Sequence, residues 1–139
     1  MLGGTSAVAI GGRALLIQGE PGSGKSGLAL ALIDRGAVLI GDDGVTLEVR
    51  EGRLLASPPP NTAGLLEVRN LGVLSWPTEA AVPVALVLRF DPEAPRFIEA
   101  ADRLELGGLS VPLVRIWPDG PVPAIKAELA LQRFGLAPN

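Results

Sequence analysis

Ala14-Leu15-Leu16-Ile17-Gln18-Gly19-Glu20-Pro21-Gly22-Ser23-Gly24-Lys25-Ser26-Gly27-Leu28-Ala29-Leu30-Ala31-Leu32-Ile33-Asp34-Arg35-Gly36 is the stretch that decides the fold. It reads as an apolar strand, a glycine-rich loop and an apolar helix, in that order. Within it, Gly19-Glu20-Pro21-Gly22-Ser23-Gly24-Lys25-Ser26 fits the pattern G-x-x-x-x-G-K-S/T in full. Glycines let backbone wrap a phosphate with no Cβ in the way. The loop amides converge on the anion as a nest, and the helix N-terminus adds its partial positive charge. In such a loop Lys25 reaches the β- and γ-phosphates and the Ser26 hydroxyl ligates Mg²⁺. Residues Gly19 to Gly27 are the candidate nucleotide-binding set. The competing reading, a turn that merely reverses the chain, is disfavoured by the strand before it and the helix after it.

Outward from this loop, Ala7–Ile10 and Ala14–Gln18 read as two short strands around Gly11-Gly12. The helix expected over Lys25–Arg35 is apolar on nearly every face, which predicts burial, and Gly36 stops it. Ala37–Ile40 reads as a buried strand, and Thr46–Arg50 with Arg53–Ala56 as a hairpin around Glu51-Gly52. Pro58-Pro59-Pro60-Asn61 marks a loop. Leu65–Arg69, Val73–Ser75 and Pro83–Phe90 are further strands, and Asp91–Arg96, with two prolines, is expected to be exposed. Arg103–Leu106 and Leu109–Trp117 form a strand pair, Pro118–Pro123 a turn and Ala124–Phe134 a closing helix. Two helices against eight or more strands make this an α/β domain that is strand-rich and poor in helices. Its 139 residues fit a single P-loop domain over residues 1–139.

Asp42-Asp43 follows the strand Val38-Leu39-Ile40. Ligands of open α/β sheets sit at the carboxyl ends of strands, where adjacent carboxylates repel unless a cation or proton relieves them. One could serve Mg²⁺ and the other accept a proton from an attacking hydroxyl. Gly41-Asp42-Asp43-Gly44 is also good turn chemistry, and the neighbouring phosphate loop tips the balance to function.

Composition narrows the rest. The chain has 12 Lys and Arg against 15 Asp and Glu, a net charge of −3, and 4% aromatic residues without Tyr. That argues against a nucleic-acid binder. There is no Cys and no His, so thiol chemistry and the usual neutral-pH base are excluded, and acid/base work falls to Asp, Glu or Lys. No apolar run approaches the roughly 20 residues of a membrane helix. The N-terminus lacks a basic region of the signal-peptide kind, so the expected location is cytoplasmic.

The run Leu15–Gly36, with Leu39-Ile40-Gly41-Asp42-Asp43, Gly64-Leu65-Leu66-Glu67-Val68-Arg69-Asn70-Leu71-Gly72-Val73, Asp102-Arg103-Leu104 and Val111-Pro112-Leu113, resembles the HPr kinase/phosphorylase family. The likeness is to its short form, which keeps only the catalytic domain. It implies phosphorylation of a serine on HPr, a small phosphocarrier protein of the phosphotransferase system, with ATP or pyrophosphate and Mg²⁺; long forms also run the reverse phosphorolysis. It further implies a core like the nucleotide-binding core of phosphoenolpyruvate carboxykinase, and homo-oligomers. It makes Asp42 the acid/base residue at the serine hydroxyl, beside Lys25. Asp43 and Glu67 would hold Mg²⁺ with Ser26, and Arg69 and Arg103 would contact phosphate or the partner protein. On residue pattern alone, Glu67 and Arg69 alternate with Leu66 and Val68 and fit the wet face of a half-buried strand. Three departures stand out. The family's His ahead of the first strand falls at Gly4, its Ala and Arg around the acidic pair are Gly41 and Gly44, and a usual Gly is Asn70. The His would have partnered Asp42, so its loss bears on phosphorolysis and on HPr as acceptor. Other readings are a small-molecule kinase and a nucleotide sensor that transfers nothing.

Overall fold

The structure, a computed structural model, describes residues 1–118 and 123–138. Most of the turn expected over Pro118–Pro123 lies outside these residues. The chain opens with Leu2–Gly3 (β1), Thr5–Ile10 (β2) and Arg13–Gln18 (β3), then the helix Lys25–Asp34 (α1). Val38–Gly41 (β4), Gly44–Arg50 (β5) and Arg53–Ser57 (β6) follow, then the pair Leu65–Val68 (β7) and Gly72–Ser75 (β8). Val82–Phe90 (β9), Asp102–Leu106 (β10), Leu109–Ile116 (β11) and the helix Pro123–Phe134 (α2) complete it. The strand-rich α/β expectation is met, and the hairpins at Gly11-Gly12 and Glu51-Gly52 form as read.

The main sheet runs β1-β5-β6-β9-β3-β2-β4. It forks at β9. One edge of β9 lies parallel to β3, while the other is shared by β6 near its start and by β11, in parallel, from Leu113↔Val87 to Ile116↔Phe90. β3, β9 and β11 therefore end together, and the loop after β3 opens at that carboxyl end. β7 and β8 form a separate two-stranded sheet.

The central strands are buried on both faces, which is why they read as continuous apolar runs rather than as alternation. Side chains still divide by parity. Val8, Leu15, Ile17, Leu86 and Leu88 face α1 and α2, whereas Ala7, Ala9, Leu16 and Val87 face the layer containing Val45, Leu54 and Ala56 of β5 and β6. Leu32, fully buried, contributes about 1.5–3 kcal/mol on the helix side. The Arg35 guanidinium hydrogen-bonds to Glu128 at 2.9 Å and links the two helices at the surface. That hydrogen bond and the carboxylate charge raise the arginine above its ordinary value.

Two expectations need correction. α1 is not buried all round: Leu28, Ala29 and Leu32 are buried, while Leu30, Ala31 and Ile33 are half-buried and Gly27 is exposed. Asp91–Arg96 is not wholly exposed, because it folds into a turn that buries Ala94. The Asp91 carboxylate accepts the Glu93 amide at 2.8 Å, and the Trp117 indole donates to the Ala94 carbonyl at 2.7 Å. Among the described residues no helix is long and apolar enough to cross a membrane.

Candidate active site

The loop leaves β3 at Gly19 and enters α1 at Lys25, with positive φ at Gly22 (80°) and Gly24 (109°). The first-turn N–H groups of α1 have no partners inside the helix. Lys25 is buried to 8% exposure, and its ammonium donates to the carbonyls of Gly19 at 2.9 Å and Glu20 at 3.4 Å. An ammonium has three donors, so one remains for an anion over the loop. The Ser23 hydroxyl oxygen is buried and has no hydrogen-bond partner, leaving the loop a polar atom to spare.

β4 runs beside β2 and delivers Asp42 and Asp43 to the same end. Asp42 Oδ1 accepts the Ser26 hydroxyl at 2.6 Å and the Ser6 hydroxyl at 3.1 Å. Among the described residues, Asp42 Oδ2 faces only the Glu67 amide, at 3.4 Å. Asp43 takes a left-handed backbone, φ 58°, held at both ends: its N–H donates to Ser6 Oγ at 3.1 Å, and its carbonyl accepts the Gly4 amide at 3.1 Å. Pro21, Gly22, Gly24, Lys25, Ser26, Gly27, Asp42, Asp43, Glu67 and Arg69 line one cleft of about 730 Å³. Gly19, Glu20 and Ser23 complete the loop beneath it. Glu67 is exposed and Leu66 buried, so the wet-face reading of β7 holds, and that wet face is a wall of the cleft.

Arg103 is not among the described residues that line this cleft. It lies on β10, paired with Pro112 of β11, well short of the carboxyl end. Its guanidinium donates to the Ser110 hydroxyl at 2.9 Å and the Ser110 carbonyl at 3.1 Å. β10 starts opposite Leu113, short of the carboxyl end of β11, and runs from there toward the amino-terminal end of that strand, which keeps Arg103 out of the cleft within this chain.

Sequence reasoning passed over Ser6, which has zero exposure and bridges both carboxylate residues. The available signal was a hydroxyl directly before the apolar run Ala7-Val8-Ala9-Ile10, since a buried hydroxyl needs a partner. The three departures also find physical reasons. Gly4 has φ 68°, where an L side chain is strained, so the backbone that would carry the His is committed to a glycine turn. A Cβ on Gly41 would lie 2.1 Å from the Gly44 carbonyl oxygen, so the Gly41–Gly44 turn is too tight for the alanine. Asn70 has φ 73°, a conformation that Asn tolerates better than most residues.

A family model described as "HPr Serine kinase C-terminal domain" matches residues 4–78, just over half of the chain. The chain belongs to this family. The HPr kinase/phosphorylase of Clostridium tetani is 49% identical over 67 residues, covering 48% of this chain and 22% of that protein. That of Clostridium beijerinckii is 45% identical over 71 residues, covering 51% and 24%. The chain thus spans less than a quarter of the length of these curated relatives of the HPr serine kinase family. The solved HPr(Ser) kinase/phosphatase of Coxiella burnetii superposes with a TM-score of 0.76 at 25% identity, over 90% of this chain and 83% of that one. The structural likeness therefore continues past residue 78 into the β9–α2 half.

Oxygen donors from Ser26, Asp42, Asp43 and Glu67 on one cleft suit Mg²⁺, which prefers hard oxygen ligands and keeps several waters. Among the described residues no three acidic side chains gather tightly enough to hold a cation alone.

Proposed function

We propose that this chain uses ATP, or pyrophosphate, with Mg²⁺ to phosphorylate a serine hydroxyl on HPr or a similar small phosphocarrier protein. The observation that carries the reading is the hydrogen-bonded unit of Ser26 and Asp42 beside Lys25, at the mouth of the glycine loop. Family membership supplies the serine acceptor. The strand-rich core around the loop supports the implied likeness to phosphoenolpyruvate carboxykinase.

The loop amides and Lys25 bind the phosphates and hold the transferring group in place. Ser26, Asp43 and Glu67 would hold Mg²⁺, which supplies neutralisation of phosphate charge when bound. The two Ser26 roles are compatible: its proton goes to Asp42, and its lone pairs remain free for the ion. Asp42 Oδ2, without a short partner, accepts the proton as the acceptor oxygen bonds to phosphorus and the bond to the leaving phosphate breaks. Phosphoryl transfer is mostly positioning and charge stabilisation, to which a base adds about 10²–10⁴. Ser6 is a positioning residue in this scheme, taking up the Asp42 oxygen that the family's His does not reach here.

Gly4 favours a one-way reaction. Phosphorolysis needs Asp42 to return a proton, and no side chain at position 4 can share it. Incubating the chain with γ-labelled ATP, Mg²⁺ and purified HPr tests the reading. Label in serine on HPr supports it. ATP binding without label in HPr moves the chain to the small-molecule kinase or sensor class.

A further inference from the structure

Arg103 leads away from the phosphate loop to a second cavity, of about 510 Å³, at the amino-terminal ends of β3, β9 and β11. Arg13 and Arg53 line it, and so does Ser110, to which Arg103 donates two hydrogen bonds. These are three of the chain's twelve Lys and Arg residues. Among the described residues, no Asp or Glu lines the cavity. Among the described residues, no carboxylate comes within ion-pair distance of Arg13, Arg53 or Arg103. Arg13 spends one of its five donors on the Leu136 carbonyl at 3.2 Å, and no described side-chain hydrogen bond engages Arg53. The remaining walls are apolar: Leu54, Pro83, Val84, Val111 and Leu136. Nothing lies within 4 Å of where a Cβ would stand on Gly11, Gly12 or Gly52, so the turns at the mouth leave it open.

We propose that this cavity binds a small amphipathic anion, a carboxylate or phosphate group on an apolar body. Guanidinium forks match the paired oxygens of either group, and like charges gathered with no counter-charge among the described residues favour an anion between them. The volume lies in the range of small-molecule sites, which are apolar with a few placed polar groups. The site is separate from the nucleotide cleft. Among the described residues the two share no lining residue, and the six residues of β3 between them span about 20 Å.

Amide-resolved NMR titration of the full chain tests this with hexanoate, with hexyl phosphate and with 1-hexanol. Saturating pyrophosphate is present throughout to occupy the phosphate loop. Saturable shifts at Gly12, Ala85 and Val111 with one or both anions, and at least tenfold weaker binding of hexanol, are expected. Whether hexanoate or hexyl phosphate binds more tightly identifies the head group. Arg13→Gln with Arg53→Gln should weaken anion binding at least tenfold. The exposed Arg53→Gln alone, which touches no core contact, should weaken it severalfold should the double variant fail to fold. Equal binding of hexanol and the anions, unchanged binding in the arginine variants, or shifts confined to Gly19–Gly27 would each overturn the proposal.

Discussion

Replacing Ser6 by alanine removes one hydroxyl and with it two hydrogen bonds, to Asp42 Oδ1 and from the Asp43 amide. A bond to a charged group is worth about 1.5–3 kcal/mol, and a neutral one about 1 kcal/mol. Both need discounting here, because Asp42 keeps Ser26 and is only half-buried, and the hydrogen bond from the Asp43 amide is itself only partly buried. A stability loss of about 1–2 kcal/mol remains, or a fall in Tm of roughly 4–8 °C for a domain of this size. The larger consequence is positional. With one of its two hydroxyl anchors gone, the carboxylate leaves the narrow tolerance, about 0.5 Å, that a catalytic group requires. Transfer to a serine acceptor should show kcat down about tenfold, equivalent to about 1.4 kcal/mol in the barrier, with KM for ATP within about twofold. A double-mutant cycle separates this from simple destabilisation. Once Asp42→Asn has removed the base, adding Ser6→Ala should cost less than about twofold more. Equal costs in both backgrounds, or normal kcat in Ser6→Ala, would refute the positioning argument.

Lys25→Ala should weaken ATP or pyrophosphate binding at least about tenfold, near 1.4 kcal/mol, by calorimetry; unchanged affinity would remove the phosphate loop from the account. Ser26→Ala should raise the Mg²⁺ concentration for half-maximal turnover severalfold, and full activity in excess EDTA would contradict the metal role. Gly41→Ala restores the family's usual residue yet should destabilise by about 1–3 kcal/mol in urea, since its Cβ meets the Gly44 carbonyl at 2.1 Å; a neutral result would mean that the turn relaxes.

The glycine loop, its flanking strand and helix, and the acidic pair at the end of β4 were legible because each depends on local chemistry that a short stretch carries by itself. The hairpins were legible for the same reason, each having a turn at a glycine. What was not legible depends on which strands lie together. Arg103 matched a family segment in order, but only the antiparallel pairing of β10 with β11 shows that it sits away from the cleft. Ser6 fell outside the strand read at Ala7–Ile10, and only the pairing of β2 with β4 brings its hydroxyl to Asp42 and Asp43. The faces of α1 could not be told apart in a run that is apolar nearly all round, because burial there is set by what packs opposite. The departures at Gly4, Gly41 and Asn70 were visible as letters, and their meaning came from backbone angles and one close approach.

The central claim is that Asp42 accepts the proton of a protein serine as a phosphoryl group moves onto it from nucleotide held by Lys25 and the loop. The measurement that tests it most directly is transfer of label from γ-labelled ATP to HPr, comparing the wild-type chain with Asp42→Asn and measuring nucleotide affinity in parallel. The substitution keeps the side-chain shape and removes the proton acceptor. Loss of the base predicts transfer slower by about a hundredfold or more, with ATP affinity within a few fold. Transfer by Asp42→Asn at the wild-type rate would contradict the account.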